Sequence, residues 1–320
     1  MLAIRSALLG LALCILSNSR NLFAEEYVPA TEASPAPLQT AAFQTAPSTG
    51  DGPLINWESD SGWFAGIGGS FNSVRVDQEF NGTGLSSIYN GSGDLLATGT
   101  ATGPAPPFHE TKTTFAPVAE LGYFRNFEDS DWLWGAKFSY KYLGLTLSNQ
   151  NFDAPQAGSF TMFNPPSTTD FTGNAFTLSA QTAVNHELLL LPFLGHNLRN
   201  GRFYIGGGPV VFNTQSRLYG LYSYADINGV RTNIGGPPLN LSSDKWMWGG
   251  AGQIGMSYSF HPNLFIDVSY SFMVTGTDTT TWPVTTRSVT GGNTYVTQIE
   301  YILQERIWAQ SLTASLNLKF

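Results

Sequence analysis

The stretch GAGQIG sets Gly250, Gly252 and Gly255 in the G-x-G-x-x-G spacing of a dinucleotide-binding turn. That spacing does chemistry when a buried strand precedes it and a helix N-terminus follows to receive the pyrophosphate. Here WMWG precedes and the strand-like MSYSF follows. The expectation is three small residues facing a narrow interior. A second group is ionic. Glu120 and Lys137 lie on either side of a five-residue connection, Phe127–Asp131. If that turn is symmetric, the two face each other across a hairpin, both inward by parity. Lys141 and Asp267 are expected to join them. An acid beside a base could move protons, but no nucleophile or metal ligand accompanies this pair. A buried ion pair is the better reading, because an unpaired charge would cost several kcal/mol.

The other chemistry-bearing residues are scattered. His109 falls in a long connection, His186 at a strand position, and His196 and His261 in short turns, with no two at a metal-ligand spacing. No G-x-S-x-G elbow is present, and the S-x-x-K match SSDK (Ser242–Lys245) leads into a strand and not a helix. Ser243 and Asp244 alone make no catalytic constellation. We assign no catalytic residue, no metal ligand and no cofactor, and read the chain as a non-enzyme.

Composition narrows the setting. Only 12% of the 320 residues are charged, against 13% aromatic, and there are 34 glycines; a typical domain is about 25% charged. Little of this surface is built for water, yet past the first two dozen residues no apolar run reaches the roughly 20 residues of a membrane helix. Residues 1–24 read as an export signal: Arg5, the apolar ALLGLALCILS, and LFA before Glu25. The single cysteine, Cys14, falls inside it, so no disulfide is expected beyond. Residues 25–57, rich in Pro, Ala and Thr, read as a disordered periplasmic tail. Without Arg5 and Arg20 the remainder carries 13 basic and 23 acidic residues, a net charge of −10. Such a balance excludes nucleic acid as a natural partner.

From Trp63 onward the dominant period is two, the strand period. In WLWGAKFSYKY, Trp132, Trp134, Ala136, Phe138, Tyr140 and Tyr142 share one face, and Gly135, Lys137, Ser139 and Lys141 the other. Eight such segments can be drawn: 63–76, 114–126, 132–146, 176–193, 202–213, 246–260, 264–273 and 306–320. The connections between them run 37, 5, 29, 8, 32, 3 and 32 residues, long and short in strict alternation. Alternation of that kind predicts, over residues 58–320, an all-β, eight-stranded antiparallel up-and-down transmembrane barrel with short periplasmic turns and long extracellular loops. Ten strands are the alternative if a long connection hides a hairpin.

The apolar face, with Trp63, Trp132, Trp134, Phe203 and Phe260 low and Phe71, Tyr142, Trp248 and Trp308 high, suits lipid and its interfaces. The polar set, Ser311, Thr313, Ser315 and Asn317 among it, suits a filled lumen. Pro117 and Pro209 interrupt their strands and predict a local bulge or fraying. The four leucines 188–191 leave the fourth strand's register open.

GWFAGIGGSF, FAPVAELGYF, FYIGGGPVVF and the closing LNLKF together resemble the small outer-membrane barrels of the OmpA and opacity-protein type. The resemblance covers Trp63 to Phe320 and implies fold and location in a bacterial outer membrane, with a barrel alone expected and no peptidoglycan-binding domain after it. It also implies outer-membrane lipid and lipopolysaccharide as surroundings, and recognition of the terminal Phe320 by the barrel assembly machinery. The four long connections hold 130 residues with 11 acidic and 5 basic side chains, and aromatic islands such as RLYGLYSYADING (217–229). Loops of that composition suit contact with glycans or protein surfaces. Surface contact, adhesion or envelope integrity is therefore expected, with narrow-pore transport as the alternative and lipid modification a third class.

Overall fold

The computed structural model describes residues 61–227, 230–233 and 237–320. The expected export signal and Pro/Ala/Thr-rich tail lie outside the described residues. Eleven strands are described: β1 (Gly62–Tyr89), β2 (Leu95–Pro104), β3 (Phe108–Asn126), β4 (Trp132–Phe163), β5 (Pro166–Leu198), β6 (Gly201–Ile227), β7 (Val230–Asn233), β8 (Leu239–His261), β9 (Leu264–Thr275), β10 (Asp278–Thr290) and β11 (Asn293–Lys319). Eight of them, β1, β3, β4, β5, β6, β8, β9 and β11, pair antiparallel in that order, and β11 pairs back onto β1. The ring is closed, so no lipid-facing edge leaves backbone groups unsatisfied. Every expected segment lies within one of these strands, save that β11 stops at Lys319, one residue short of the expected end at Phe320.

Alternation gives the wall two faces. Along β11, Leu312, Leu316 and Leu318 point outward and are exposed, while Ser311, Thr313, Ser315 and Asn317 are buried inside. The aromatics Trp63, Trp132, Trp134, Phe203, Phe260, Phe71, Tyr142 and Trp248 are exposed on the outer wall, while Trp308 is half-buried between Phe272 at 5.8 Å and Arg306 at 4.4 Å. The leucine run resolves with Leu189 and Leu191 inward and Leu190 and Leu194 outward.

The long connections are not irregular loops. β1 spans 28 residues, where crossing a bilayer takes about 9–11, and it stays paired to β11 as far as Tyr89 opposite Thr294. β4 and β5 zip to Phe163 opposite Pro166, β2 returns along the outer half of β1, and β10 along that of β11. Their sequence hid this, because beyond the bilayer neither face must be apolar and the period-two signal fades. The hidden hairpins lengthen the staves without adding to the ring, which stays at eight.

Two seams interrupt the wall. β3 pairs with β4 only from Val118 to Asn126, so Pro117, which has no N–H to give, sits where that ladder stops. Side chains bridge the opening beyond it: Lys112 Nζ donates to the Thr146 carbonyl at 2.6 Å, and the Ser148 amide donates to Glu110 at 2.7 Å. Pro209 likewise falls in a break of the β5–β6 ladder between Leu189/Val210 and Phe193/Gly206. The second seam separates the outer part of β8 from β10, which pairs only with β11 among the described residues. There Trp282 Nε1 donates to the Ser242 carbonyl at 3.2 Å.

Candidate functional site

The inward side chains fill the barrel in layers. Nearest the short turns, the Arg202 guanidinium lies 3.7 Å from the centre of the Phe124 ring, with Phe265 beyond it. Next comes an ionic layer. Lys137 Nζ stands 3.3 Å from Glu120 and 3.3 Å from Asp267, each almost fully buried. Tyr204 donates to Asp267 at 2.8 Å, Ser257 donates to its other oxygen at 2.8 Å, and Ser315 donates to Glu120 at 2.6 Å. One ammonium bridges two carboxylates, and hydroxyl donors add hydrogen bonds to both.

The expected register of this hairpin is off by two residues. Glu120 faces Ser139, and Lys137 faces Gly122. A shift of two keeps both side chains inside, so the ion pair survives as a diagonal contact. Lys141 was expected in the same network; it pairs with Glu187 at 2.8 Å and donates to Ser311 at 2.9 Å, one layer further out. Glu187 directly precedes the ambiguous leucines, and only the fixed register shows that it points inward.

A third ionic layer was not foreseen. Glu305, one residue before the expected last strand, is fully buried and accepts from Gln78 at 2.8 Å, Thr182 at 2.6 Å and Ser216 at 2.6 Å. Lys245 approaches it at 3.1 Å while also pairing with Asp278 at 2.6 Å across the β8–β10 seam. Apolar layers separate and cover these groups: Val74, Val76, Leu189, Phe212, Met247 and Met273 below, and Phe80, Leu218, Leu221, Tyr301 and Leu303 above. Beyond Tyr301 the tube opens into a cavity of about 480 Å³.

The other chemical candidates do not converge. Gly255 faces the lumen beneath the Tyr204 ring, but Gly250 and Gly252 face outward with open space beside them, so only one of the three glycines lines the interior as expected. No helix follows them; all three belong to β8. His109 sits on a strand and not in a loop, with its Nδ1 2.8 Å from Asp77. There Asp77's partial burial raises its carboxyl pKa, and hydrogen bonds and charge from Arg75 and His109 outweigh that and lower it. His186 stacks among Tyr140, Tyr142 and Trp246 on the outer wall. His196 lies within β5, edge-on to Trp132, and His261 closes β8. Among the described residues, no three His, Cys, Asp or Glu side chains gather as a metal site would need.

No family model matches the chain. It is 26% identical over 235 residues to outer membrane protein P1 of Coxiella burnetii, an alignment covering 73% of each chain. Among solved structures, Neisserial surface protein A aligns over 78% of this chain and 97% of its own, at 11% identity and a TM-score of 0.26. The outer membrane protease OmpT of Escherichia coli aligns over 78% and 97%, at 8% identity and a TM-score of 0.27. A surface protein and a protease superpose equally loosely, so neither carries a functional argument. The closed ring, the exposed apolar belt and the polar, filled interior make this chain an outer-membrane β-barrel protein.

Proposed function

We propose that the protein is a non-conducting, non-enzymatic surface barrel that acts through its outer hairpins, in contact with other surfaces or in support of the envelope. The observation that carries this reading is the filled lumen. From Arg202 to Tyr301, ionic and apolar layers alternate with buried side chains at every level, as expected when about eight strands leave an interior just wide enough for side chains. Work at such a barrel falls to its outer end. There the β5–β6 wall presents Phe176 against Tyr222 at 5.2 Å, and Arg231 stacked 3.9 Å over Tyr224. Aromatic rings beside a cation suit glycans or protein surfaces. Lipid and lipopolysaccharide are the surroundings we assign to the belt.

Planar-bilayer recording tests the reading. The reconstituted barrel should leave the bilayer silent, and a stable, reproducible channel would sink the closed-lumen argument. Deleting residues 215–245 should abolish binding to host cells or matrix while the membrane part still folds; unchanged binding would leave only the envelope role.

A further inference from the structure

We propose that the cavity at the outer end of the barrel is a binding site for a small, uncharged, largely apolar molecule. The site lies beyond the contact function above and does not depend on it. Its volume of about 480 Å³ falls in the range of roughly 300–1,000 Å³ typical of small-molecule sites. Inward positions of successive strands supply the wall: Ile88 from β1, Phe160 from β4, Phe171 from β5 and Ile299 from β11. Glycines clear the space. A Cβ placed on Gly84 would meet nothing within 4 Å, and one on Gly82 would meet only side chains, Gln156 at 3.6 Å and Tyr301 at 3.8 Å.

Several polar groups in the wall are engaged with one another, while hydroxyls such as Thr286, Ser288 and Tyr295 also border the space. Ser223 and Tyr301 share a hydrogen bond of 3.2 Å, Ser86 and Thr297 another of 3.2 Å, and the Gln156 amide donates to the carbonyls of Gly103 and Ala154. Each hydroxyl keeps spare acceptor capacity, enough to orient one ligand hydroxyl. The one charged lining residue, Arg287, is exposed on β10, so its charge stays hydrated. Water held against the apolar part of the wall, formed by Ile88, Phe160, Phe171 and Ile299, forms few hydrogen bonds, and an apolar body gains by displacing it.

The floor decides that this is a site and not a passage. Phe80 stacks on Tyr301 at 5.9 Å, Phe152 meets Phe80 edge-on at 5.5 Å, and buried Leu221 and Leu303 lie beneath. The wider space alongside, about 960 Å³, is bordered by Asp170 and Asp226 and suits an apolar molecule less.

Calorimetric titration of the full barrel in lipid nanodiscs with 1-naphthol, against empty nanodiscs, tests the proposal. One saturable site is expected. Gly84→Trp, which fills the cavity, should weaken it by at least about tenfold. Leu85→Trp, on the outward face of the same strand, should leave it unchanged. Carboxylate-bearing 1-naphthoate should bind at least about tenfold more weakly, since burying a charge is costly. Ala101→Phe fills the cavity from β2 and serves if the Gly84 variant does not fold. No saturable heat above the empty discs would overturn the proposal. So would undiminished binding in a folded filling variant, or equal binding of the naphthoate.

Discussion

Lys137 and Glu120 stand 3.3 Å apart without being cross-strand partners; Lys137 lies opposite Gly122 and reaches diagonally over it. The space a side chain on Gly122 would need is taken by the Phe64 ring, 2.4 Å from where its Cβ would fall. The same ammonium extends to Asp267, contributed by β9 on another side of the tube. One buried charge thus ties β4 to two other strands.

Glu120→Ala should lower the urea midpoint of the barrel in detergent. Lys137 keeps Asp267, so the loss should be about 2 kcal/mol, below the 3–5 kcal/mol of an isolated buried pair. Lys137→Met should cost more, since it takes the ammonium from two buried carboxylates at once. Equal midpoints for wild type and Glu120→Ala would remove the pair from the account of stability.

The three glycines of GAGQIG should respond differently. Alanine at Gly250 or Gly252 meets nothing within 4 Å and should be nearly neutral. Alanine at Gly255 would place its Cβ 2.3 Å from the Tyr204 ring, pushing the hydroxyl off Asp267 at about 1–3 kcal/mol, as overpacking does. Thermal unfolding of the three variants gives the comparison, and a uniform response would refute the facing assigned to β8.

The β8–β10 seam should be visible by hydrogen exchange. Among the described residues β10 pairs with β11 alone, so alternate amides between Asp278 and Thr290 have no strand partner there. They should exchange well before the amides of β1 between Gly82 and Ile88, which lie between β2 and β11. Uniform protection through β10 would mean the ladder to β8 closes in the membrane.

Asp77 sets a pH dependence at the outer wall. Burial raises its carboxyl pKa, but Arg75 and His109 together bring it below the usual range. A lowered carboxyl stabilises the fold above its unfolded pKa, and that stabilisation fades as pH falls through the folded value. Asp77→Asn should therefore melt earlier than wild type at pH 7, with the two converging toward pH 3. The effect should be modest, since Arg75 and His109 are half exposed. A difference that persists undiminished into acid would assign the role to packing.

Much of this protein was legible in its sequence, because in a membrane barrel the facing of each residue is a local property. Trp132, Phe138 and Leu316 must meet lipid, Ser311 and Lys137 must not, and strict alternation encodes both without reference to any partner. Segment count and closure followed from the alternation of long and short connections. Register did not follow, since a slip of two residues preserves every facing; the turn after Asn126 and packing across the lumen decided it. The partners of Lys141 and Glu305 were equally hidden, being 46 and 227 residues away at Glu187 and Gln78. Past the bilayer the pattern fell silent, because Thr, Ser and Gly satisfy either face. There only the paired backbones of the folded chain drew the outer hairpins together, and with them the cavity over Tyr301.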